Sequence, residues 1–486
     1  MSRPLHIHLV AVCGTGMGAL AVMLKSLGHR VTGSDENVYP PMSTVLSEQQ
    51  IPVFEGFAAA NLDPPPDLVV IGNAVSRGNP EAEAVLDRKI RFASMPETLK
   101  SFFLWDRRSI VVTGTHGKTT TTAMLAWVLT EAGLDPSYIV GGVPIGWQTG
   151  ARLGSGDLFI LEGDEYDSAF FDKRAKFLHY LPDTVIINNV EFDHADIYDS
   201  IDEIALAFRR LVNIIPENGL LIGPEDDERV QALASHAYCA VHTLGILPGG
   251  RRSSGKSASS VARWSARNVS FDPGSTSFDL FERDEHRARL STSQLGEHNV
   301  RNALAVVAAA RRYGVSWPDL ARSLESFPGV KRRLEVRGEV NGITVYDDFA
   351  HHPTAVEATL DALRKTAPNR RTWAVFEPRS ATTIRRTFQD AYATAFDQAD
   401  RVLIAPVYLP EKAPPGNRFS VEALVAGLRE RGVDAEAPGN VEQIVSRLAG
   451  QAVPGDRIVF MSNGGFGGIH EKTLNRLERG GASEPG

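Results

Sequence analysis

A glycine-framed turn that ends in Lys118 and Thr119 is the part of this sequence best suited to chemistry. An apolar strand pattern begins at Ile110, the turn is Gly114-Thr-His-Gly117, and helical residues run from Ala123 to Glu131. Backbone amides at a helix start hold anions, a lysine adds a cation, and a threonine hydroxyl can join a magnesium shell. The pattern predicts a nucleoside triphosphate site, although the loop is shorter than the common P-loop and a plain turn would explain Gly-Lys-Thr alone.

Acidic residues follow two later strand patterns, at Glu162 to Glu165 and at Glu191 to His194. In an open parallel sheet these groups would share an edge with Lys118. Oxygen donors suit a hard cation that also touches phosphate, so we expect magnesium, with Glu162 and His194 as ligands. The alternatives are solvated loop carboxylates and a hydrogen-bonded structural histidine. The roles of the other acids stay open: Asp164, Glu165 and Asp193.

The N-terminal turn Gly14-x-Gly16-x-Gly18 lies between a strand and a helix, and Asp35 ends the next strand pattern. Such a turn can cradle a phosphate, and the acid is placed for a sugar hydroxyl. The last glycine is displaced from the dinucleotide fingerprint. Close packing of the helix on its strand would explain these small residues equally well.

Three later segments contain further candidates. His298 and Asn302 lie four residues apart on one predicted helix face and could meet a purine; helix capping by Asn299 is the alternative. The runs Lys331 to Arg333 and Asp347 to Pro353 are the other two candidate segments. The alternatives for them are a solvated charge cluster and a plain strand-to-helix loop.

The elements needed to position these residues alternate between strand and helix. The first strands, from His6 to Val12 and from His29, form a Rossmann-like opening, and the pattern restarts at Ser109. A Gly- and Ser-rich loop is expected at 248–260, and a β-hairpin from Val269 to Phe281. A third unit follows Phe327-Pro-Gly with strands at these positions: Ile343 to Tyr346, Thr372 to Phe376, Val402 to Ile404 and Arg457 to Met461.

Length and composition agree with this division. A chain of 486 residues exceeds one hydrophobic core, and we expect about three domains, at 1–106, 107–326 and 327–486. With 43% hydrophobic and 23% charged residues the chain is globular, and a net charge of -8 gives no indication of a nucleic-acid partner. The two cysteines, Cys13 and Cys239, exclude a disulfide framework. Glycines interrupt the N-terminal apolar run, so we expect neither a secretory signal nor membrane insertion, and a cytoplasmic protein.

Taken together, the motifs TGTHGKTTT, NNVEFDHADIY, GEHNVRNALA, GVKRRLE and YDDFAHHPT resemble the Mur ligases, in nearly the expected order and over almost the whole chain. The resemblance implies an α/β protein with the three-domain Mur ligase architecture. A Rossmann-like N-terminal domain would bind the UDP-sugar, a central P-loop domain ATP, and a Rossmann-like C-terminal domain the incoming peptide.

The resemblance also assigns roles to residues. Lys118, Glu162 and His194 would be catalytic, and Thr119, Glu162 and His194 would hold magnesium. The ATP-binding residues would be Gly114, Thr115, His116, Gly117, Lys118, Thr119, Thr120, His298, Asn302, Arg333 and Asp347. The substrate-binding residues would be Gly14, Thr15, Gly16, Met17, Gly18, Asp35, His351 and Arg379.

Within the family, CGTGMGALA, EYDSAFFDKR and MSNGGFGG look closest to the branch that recycles cell-wall peptides. The implied reaction joins UDP-N-acetylmuramate to L-alanyl-γ-D-glutamyl-meso-diaminopimelate, with ATP and Mg²⁺, through an acyl phosphate. One alternative is the ligase that adds free L-alanine to the same UDP-sugar. An alternative of another class is a binding protein that senses ATP without catalysis.

One departure from the family concerns a carbamylated lysine that several Mur ligases place in the helix after the metal histidine. This chain has Ala205-Leu-Ala-Phe-Arg-Arg210 there, so we predict no modified lysine. His351 and Arg379 suit substrate carboxylates or phosphates, with helix capping and surface solvation as alternatives.

Overall fold

The predicted α/β class is confirmed by the computed structural model, which describes residues 3–40, 42–195, 197–247 and 262–481. Strands and helices alternate along the chain and build three main sheets that follow one another in sequence. The proposed domain boundaries remain a prediction. We therefore use the terms first, central and third unit for the parts of the chain around each sheet.

The first unit is a parallel sheet with the strand order β3-β2-β1-β4-β5. Its strands are β1 (His6–Val10), β2 (Arg30–Asp35), β3 (Val53–Glu55), β4 (Leu68–Ile71) and β5 (Phe92–Ser94). Its helices are α1 (Thr15–Ser26), α2 (Met42–Glu48), α3 (Pro80–Asp87) and α4 (Met95–Leu99). Because helices cover both faces, β4 is buried along its whole length, which is why its sequence is continuously apolar.

The central unit has the strand order β17-β16-β15-β14-β13-β12-β6-β9-β7-β8. Its strands are β6 (Arg108–Thr113), β7 (Ser137–Ile139), β8 (Ala151–Arg152), β9 (Leu158–Glu162), β12 (Pro182–Ile187), β13 (Leu220–Pro224), β14 (Ala240–Ile246), β15 (Trp264–Asp272), β16 (Ser275–Glu282) and β17 (Glu285–Thr292), while β10 (Asp167–Ala169) and β11 (Asp172–Ala175) form a separate antiparallel pair. Its helices are α5 (Lys118–Glu131), α6 (Ile201–Asn213), α7 (Glu228–Ala234), α8 (Glu297–Arg312) and α9 (Trp317–Ser326). β6 has parallel neighbours on both sides, β12 and β9, so the turn after β6 lies at the middle of one sheet edge.

The third unit has the strand order β18-β19-β23-β20-β21-β22, with β18 antiparallel to β19 and the other neighbours parallel. Its strands are β18 (Glu335–Val340), β19 (Ile343–Asp348), β20 (Thr372–Phe376), β21 (Arg401–Ile404), β22 (Asp434–Glu436) and β23 (Arg457–Met461). Its helices are α10 (Pro353–Thr366), α11 (Gln389–Ala395), α12 (Val421–Glu430), α13 (Val441–Gln451) and α14 (Ile469–Gly481).

Some local expectations differ from the structure. α1 and α5 begin at Thr15 and Lys118, earlier than the apolar pattern predicts, because their first turns, Thr-Gly-Met-Gly and Lys-Thr-Thr-Thr, have no periodic hydrophobic signal. The predicted hairpin exists as β15 and β16, but β15 also pairs in parallel with β14 and so extends the main sheet. The predicted loop at 248–260 lies outside the described residues.

Aromatic and backbone contacts join the units. Phe92 of the first unit meets Phe171, beside β11, edge to face with ring centroids 4.9 Å apart. Between the central and third units, Pro144 and Val330 form an isolated β-bridge, and the Lys331 amide donates to the Val143 carbonyl at 3.0 Å. These backbone bonds fix where the third unit starts relative to the phosphate-loop edge.

Among the described residues, we find no helix whose length and apolar character would let it cross a membrane.

Candidate active site

The turn between β6 and α5 has a conformation that requires glycine. Gly114 has a φ of +128° and Gly117 a φ of +80°, values that residues with a Cβ rarely adopt. A Cβ on Gly117 would also lie 2.8 Å from Asn188 Nδ2 and 2.9 Å from Asn302 Oδ1. The chain turns sharply here and α5 begins at once with Lys118. The amides of a first helical turn have no partner within the helix, which is the geometry a phosphate site needs.

Two asparagines that the sequence analysis did not single out brace this turn. Asn189 Oδ1 accepts the His116 amide at 2.8 Å, and Asn188 Nδ2 donates to Thr121 Oγ1 at 3.1 Å. Both follow β12, the neighbour of β6, so adjacent strand ends supply the support. In the sequence, the signal for this supporting role is a pair of asparagines directly after an apolar strand.

Lys118 lies at the centre of a buried charge cluster. Its Nζ donates to the Gly114 carbonyl at 2.7 Å and to the two Glu165 carboxylate oxygens at 3.1 and 2.9 Å. Burial alone would lower the pKa of Lys118, but the carboxylates of Glu165 and Asp164 outweigh it and raise that pKa. The ammonium is therefore charged at neutral pH and is held over the loop, where a phosphate can exchange for one of its present acceptors.

Glu162, at the end of β9, meets Thr119 as the sequence predicts for a shared cation. Thr119 Oγ1 donates to Glu162 Oε1 at 2.7 Å, and the Gly141 amide donates to Oε2 at 2.5 Å. Burial and the neighbouring Asp164 carboxylate raise the pKa of Glu162, so a cation at this point would stabilise its ionised form. Hydroxyl and carboxylate oxygens are the donors that magnesium prefers, and the residues present fit that ion.

His194 contacts Glu165, one of the acids whose role the sequence left open. Its Nε2 lies 3.3 Å from Glu165 Oε1, and its backbone has a φ of +55°, a region that few residues other than glycine occupy. Burial lowers the pKa of His194, but Glu165 and Asp193 more than offset this and raise it. The structure thus places Glu165 between Lys118 and His194, which makes this glutamate a stronger candidate than spacing alone indicated.

Arg333 extends from the third unit into this cluster. Its Nη2 donates to Thr119 Oγ1 at 3.1 Å, so a guanidinium stands beside the first residue pair of α5. Burial lowers the pKa of Arg333, although the carboxylates of Asp348 and Glu162 oppose the shift. The prediction that Arg333 reaches the nucleotide from the third unit has the required geometry here.

Further contacts hold the third unit against the end of β12. Thr354 Oγ1 donates to Glu191 Oε2 at 2.7 Å, and Thr382 Oγ1 donates to Asp193 Oδ1 at 2.8 Å. Arg385 donates to the Ala195 carbonyl. The described arrangement is therefore closed between the central and third units, which the sequence could not indicate.

Two other third-unit candidates, Asp347 and His351, make local contacts. Asp347 lies 3.3 Å from His470 Nε2 and 3.5 Å from Arg332 Nε, within its own unit. His351 Nδ1 lies 3.0 Å from the Phe349 carbonyl, and burial lowers the pKa of this histidine. His352 rather than His351 caps α10, through the Thr354 amide, so the capping alternative for His351 is wrong.

Arg379 stacks on an aromatic ring. Its guanidinium carbon is 3.7 Å from the centroid of Tyr408, and its Nη1 is 3.8 Å from Glu377 Oε2. A guanidinium fixed by a ring on one side keeps donors available for a carboxylate or phosphate. Its role as a substrate-binding residue stays a prediction.

The purine candidates on α8 are linked to the phosphate loop. Asn302 is buried, donates to Asn299 Oδ1 at 2.9 Å and faces Gly117, while His298 Nε2 lies 3.0 Å from Asn299 Nδ2. The alternative of capping by Asn299 is wrong, because Gly296 is the N-cap residue and the Asn299 side chain donates to the Leu295 carbonyl.

We expect His298 to make stability depend on pH. Burial lowers its pKa to about 4, whereas an unfolded histidine titrates near about 6.5. Between these values the unfolded chain binds more protons than the folded chain. The contribution of the neutral His298 ring to the free energy of unfolding is therefore complete above about pH 6.5 and is lost as the pH falls toward 4. Urea unfolding of the wild type and His298→Gln at pH 7 and pH 5 should show a smaller pH dependence in the variant. His236→Gln, at an exposed position, is the control. An equal reduction of the pH dependence in His298→Gln and His236→Gln would contradict the prediction.

In the first unit, Asp35 fixes the glycine-rich turn. Its Oδ2 accepts the Cys13 amide at 2.8 Å and its Oδ1 accepts the Asn37 amide at 2.9 Å. Gly18 lies where a Cβ would collide with the Met42 side chain of α2, so this glycine serves helix-helix packing. The remaining turn residues lie at the carboxyl edge of β1, and their binding role stays a prediction.

Family models match three consecutive segments of the chain. They are described as "Mur ligase family, catalytic domain" for residues 6–104, "Mur ligase middle domain" for 112–310 and "Mur ligase, glutamate ligase domain" for 332–464.

The chain is also similar to proteins that it matches over almost their whole length. It is 44% identical over 479 residues to the UDP-N-acetylmuramate–L-alanyl-γ-D-glutamyl-meso-2,6-diaminoheptandioate ligase of Escherichia coli (strain K12), covering 98% of this chain and 99% of the relative. It is 34% identical over 465 residues to the UDP-N-acetylmuramate–L-alanine ligase of Agrobacterium fabrum, covering 94% of each. The crystal structure of a murein peptide ligase from Psychrobacter arcticus 273-4 superimposes with a TM-score of 0.69 at 38% identity, covering 98% of this chain and 99% of that one.

Proposed function

The chain belongs to the Mur ligase family, and we propose that it joins UDP-N-acetylmuramate to the recycled tripeptide L-alanyl-γ-D-glutamyl-meso-diaminopimelate, with conversion of ATP to ADP and phosphate. The observation that carries the proposal is the closed cluster around Lys118. There the glycine turn, the Glu162 and Glu165 carboxylates and Arg333 from the third unit meet within hydrogen-bonding distance. The tripeptide is favoured over free alanine because identity is 44% to the tripeptide ligase and 34% to the alanine ligase.

The chemistry begins with a carboxylate that is a poor acyl donor at neutral pH. The muramyl carboxylate would attack the γ-phosphorus of ATP, which forms the carboxyl–phosphate bond and releases ADP. Lys118 and the first amides of α5 would neutralise the charge on the transferring oxygens, and Arg333 would add charge from the opposite side. The product of this step is an acyl phosphate, whose phosphate is a good leaving group.

In the second step the free amine of the tripeptide's L-alanine would attack the activated carbonyl. The tetrahedral intermediate then expels phosphate, and loss of a proton from nitrogen leaves the amide. The contacts of Thr354 and Thr382 with the end of β12 keep the cleft closed, which excludes the water that would hydrolyse an acyl phosphate. Binding, orientation and exclusion of water account for the reaction without a nucleophilic side chain.

Magnesium would be held by Thr119 and Glu162, with His194 and Glu165 beside a second position. When bound, it would supply positive charge to the phosphate oxygens. Glu165 contacts both Lys118 and His194, so it would connect the second metal position to the phosphate-binding lysine.

Each unit would bind one substrate. The first unit would hold the UDP-sugar at Gly14 to Gly18 and Asp35, and the central unit would hold ATP, with His298 and Asn302 toward the adenine. The third unit would present the peptide, with His351 and Arg379 near its carboxylates. Asp347, which pairs with Arg332, would act on the nucleotide indirectly by positioning the segment that includes Arg333.

Phosphate release should distinguish the tripeptide ligase from its alternatives. With ATP, Mg²⁺ and UDP-N-acetylmuramate, we expect kcat/KM for the tripeptide to exceed that for L-alanine by at least about 100-fold, because the two amines differ by contacts worth several kcal/mol. Omitting the UDP-sugar is the control. A preference for alanine would support the alanine-adding ligase, and no release with either amine would support an ATP-sensing protein.

A further inference from the structure

A second group of metal-binding side chains lies beside the phosphate loop, outside the Lys118 cluster. His116, Glu191 and His352 each offer a ligand atom, and these atoms lie within 4.8 Å of one another. Glu191 Oε2 is 3.4 Å from His116 Nε2 and 3.6 Å from His352 Nδ1. The two imidazole centroids are 4.6 Å apart. None of the three was assigned a metal by sequence.

These separations match those of a small transition-metal centre. With bonds of about 2.0–2.1 Å, tetrahedral geometry separates neighbouring ligand atoms by about 3.3 Å. The observed 3.4 and 3.6 Å therefore require little movement of the side chains. Two imidazoles and one carboxylate suit zinc, cobalt or nickel, whereas magnesium prefers oxygen donors.

Neighbouring groups already orient the donors. His352 Nε2 lies 3.3 Å from the Phe192 carbonyl, and its Nδ1 accepts the Thr354 amide at 3.3 Å. This pattern places the ring proton on Nε2, and a cation that binds Nδ1 would replace the long hydrogen bond from the Thr354 amide. Thr354 Oγ1 also donates to Glu191 Oε2 at 2.7 Å. A ligating histidine usually donates its other N–H to a carbonyl in the same way.

We propose that His116, Glu191 and His352 form a site for a zinc-class divalent cation, with a fourth position open to water. The ligands come from the phosphate loop, the end of β12 and the start of α10. A bound cation would therefore link the central and third units and hold them closed.

The other histidine-containing cluster among the described residues is different. It consists of Glu97, Asp172 and His179. Arg174 donates two hydrogen bonds to Asp172, and the Ser94 amide donates to Glu97 Oε2. Both Asp172 oxygens and one Glu97 oxygen are therefore already hydrogen-bonded. His179→Gln is therefore a matched control for nonspecific loss of a histidine.

The test is titration of the full chain, without nucleotide, with Co²⁺ or Zn²⁺ alone, followed by calorimetry and by the visible absorption of Co²⁺. We expect one tight site per chain that persists in millimolar Mg²⁺. Affinity should fall at least about 10-fold in His352→Gln and in Glu191→Gln, as for loss of a ligand or its support. The cation affinity should stay unchanged in His179→Gln and in His194→Gln. The second variant distinguishes this site from the predicted magnesium site, which includes His194.

Three results would overturn the proposal: no cation binding by the wild type, unchanged affinity in both His352→Gln and Glu191→Gln, or loss in His194→Gln with retention in His352→Gln. Circular dichroism tests whether each variant is folded. His116→Gln is used in place of a ligand variant that is unfolded. The binding readout is independent of ligation, so failure of this site leaves the proposed ligase activity standing, and the reverse also holds.

Discussion

Lys118→Ala is expected to lower the rate of ligation by at least about 10³-fold, the scale on which preorganised charges act in phosphoryl transfer. The side chain is a largely buried cation held by Glu165 and the Gly114 carbonyl at the start of α5. Its removal leaves the Glu165 carboxylate without its main partner and the γ-phosphate without a mobile positive charge. Steady-state release of phosphate with saturating substrates measures the effect.

Lys472→Ala is the matched control, because that lysine is exposed and pairs with Glu442 far from the loop. It should ligate at the wild-type rate. Circular dichroism and the urea midpoint will show whether Lys118→Ala is folded, and Lys118→Met, which preserves the stem, guards against loss of packing. A folded Lys118 variant with near-wild-type turnover would refute the phosphate role.

Arg333→Ala is expected to lower kcat by about 10²- to 10³-fold, with a smaller effect on ATP affinity. Arg333 is the guanidinium that the third unit inserts beside Thr119, at 3.1 Å from its hydroxyl. A group contributed on closure acts more strongly in the transition state than in the open, ATP-bound state. Arg333→Lys should restore little activity, because a lysine lacks the planar set of donors.

The adjacent Lys331 provides the control for this prediction. Its side chain is exposed and its backbone amide bonds to Val143, so Lys331→Ala preserves the connection between units while removing one charge of the same run. Equal losses in the two variants would indicate a general effect of positive charge. A loss confined to ATP affinity in Arg333→Ala would contradict the role in catalysis.

Much of the fold could be predicted because buried parallel strands have continuous apolar sequences. β20 and β23 have the predicted bounds for this reason. The first turns of α1 and α5 could not be predicted, since they have no periodic apolar residues and the conformation around Gly18 and Gly117 depends on tertiary neighbours such as Met42 and Asn188. The role of β15 as an extension of the main sheet also depends on long-range pairing, which local patterns do not encode.

The candidate site shows the same distinction. Lys118, Thr119 and Glu162 were predictable from strand-end position, and the structure brings them together. Glu165 and Glu191 were not, because neighbouring acids on one loop differ only in direction, and direction is set by contacts with His194 and Thr354. The cluster of His116 and His352 joins residues more than two hundred positions apart in sequence, and only the closed arrangement of units brings them within reach.

The most direct test of the proposed chemistry follows oxygen from the muramyl carboxylate. UDP-N-acetylmuramate labelled with ¹⁸O in both carboxylate oxygens is converted with ATP and the tripeptide, and the released phosphate is examined by mass spectrometry. Attack of the carboxylate on the γ-phosphorus predicts one labelled oxygen in each phosphate and one in each new amide. Phosphate without label, formed at the same rate as the amide, would contradict activation through an acyl phosphate.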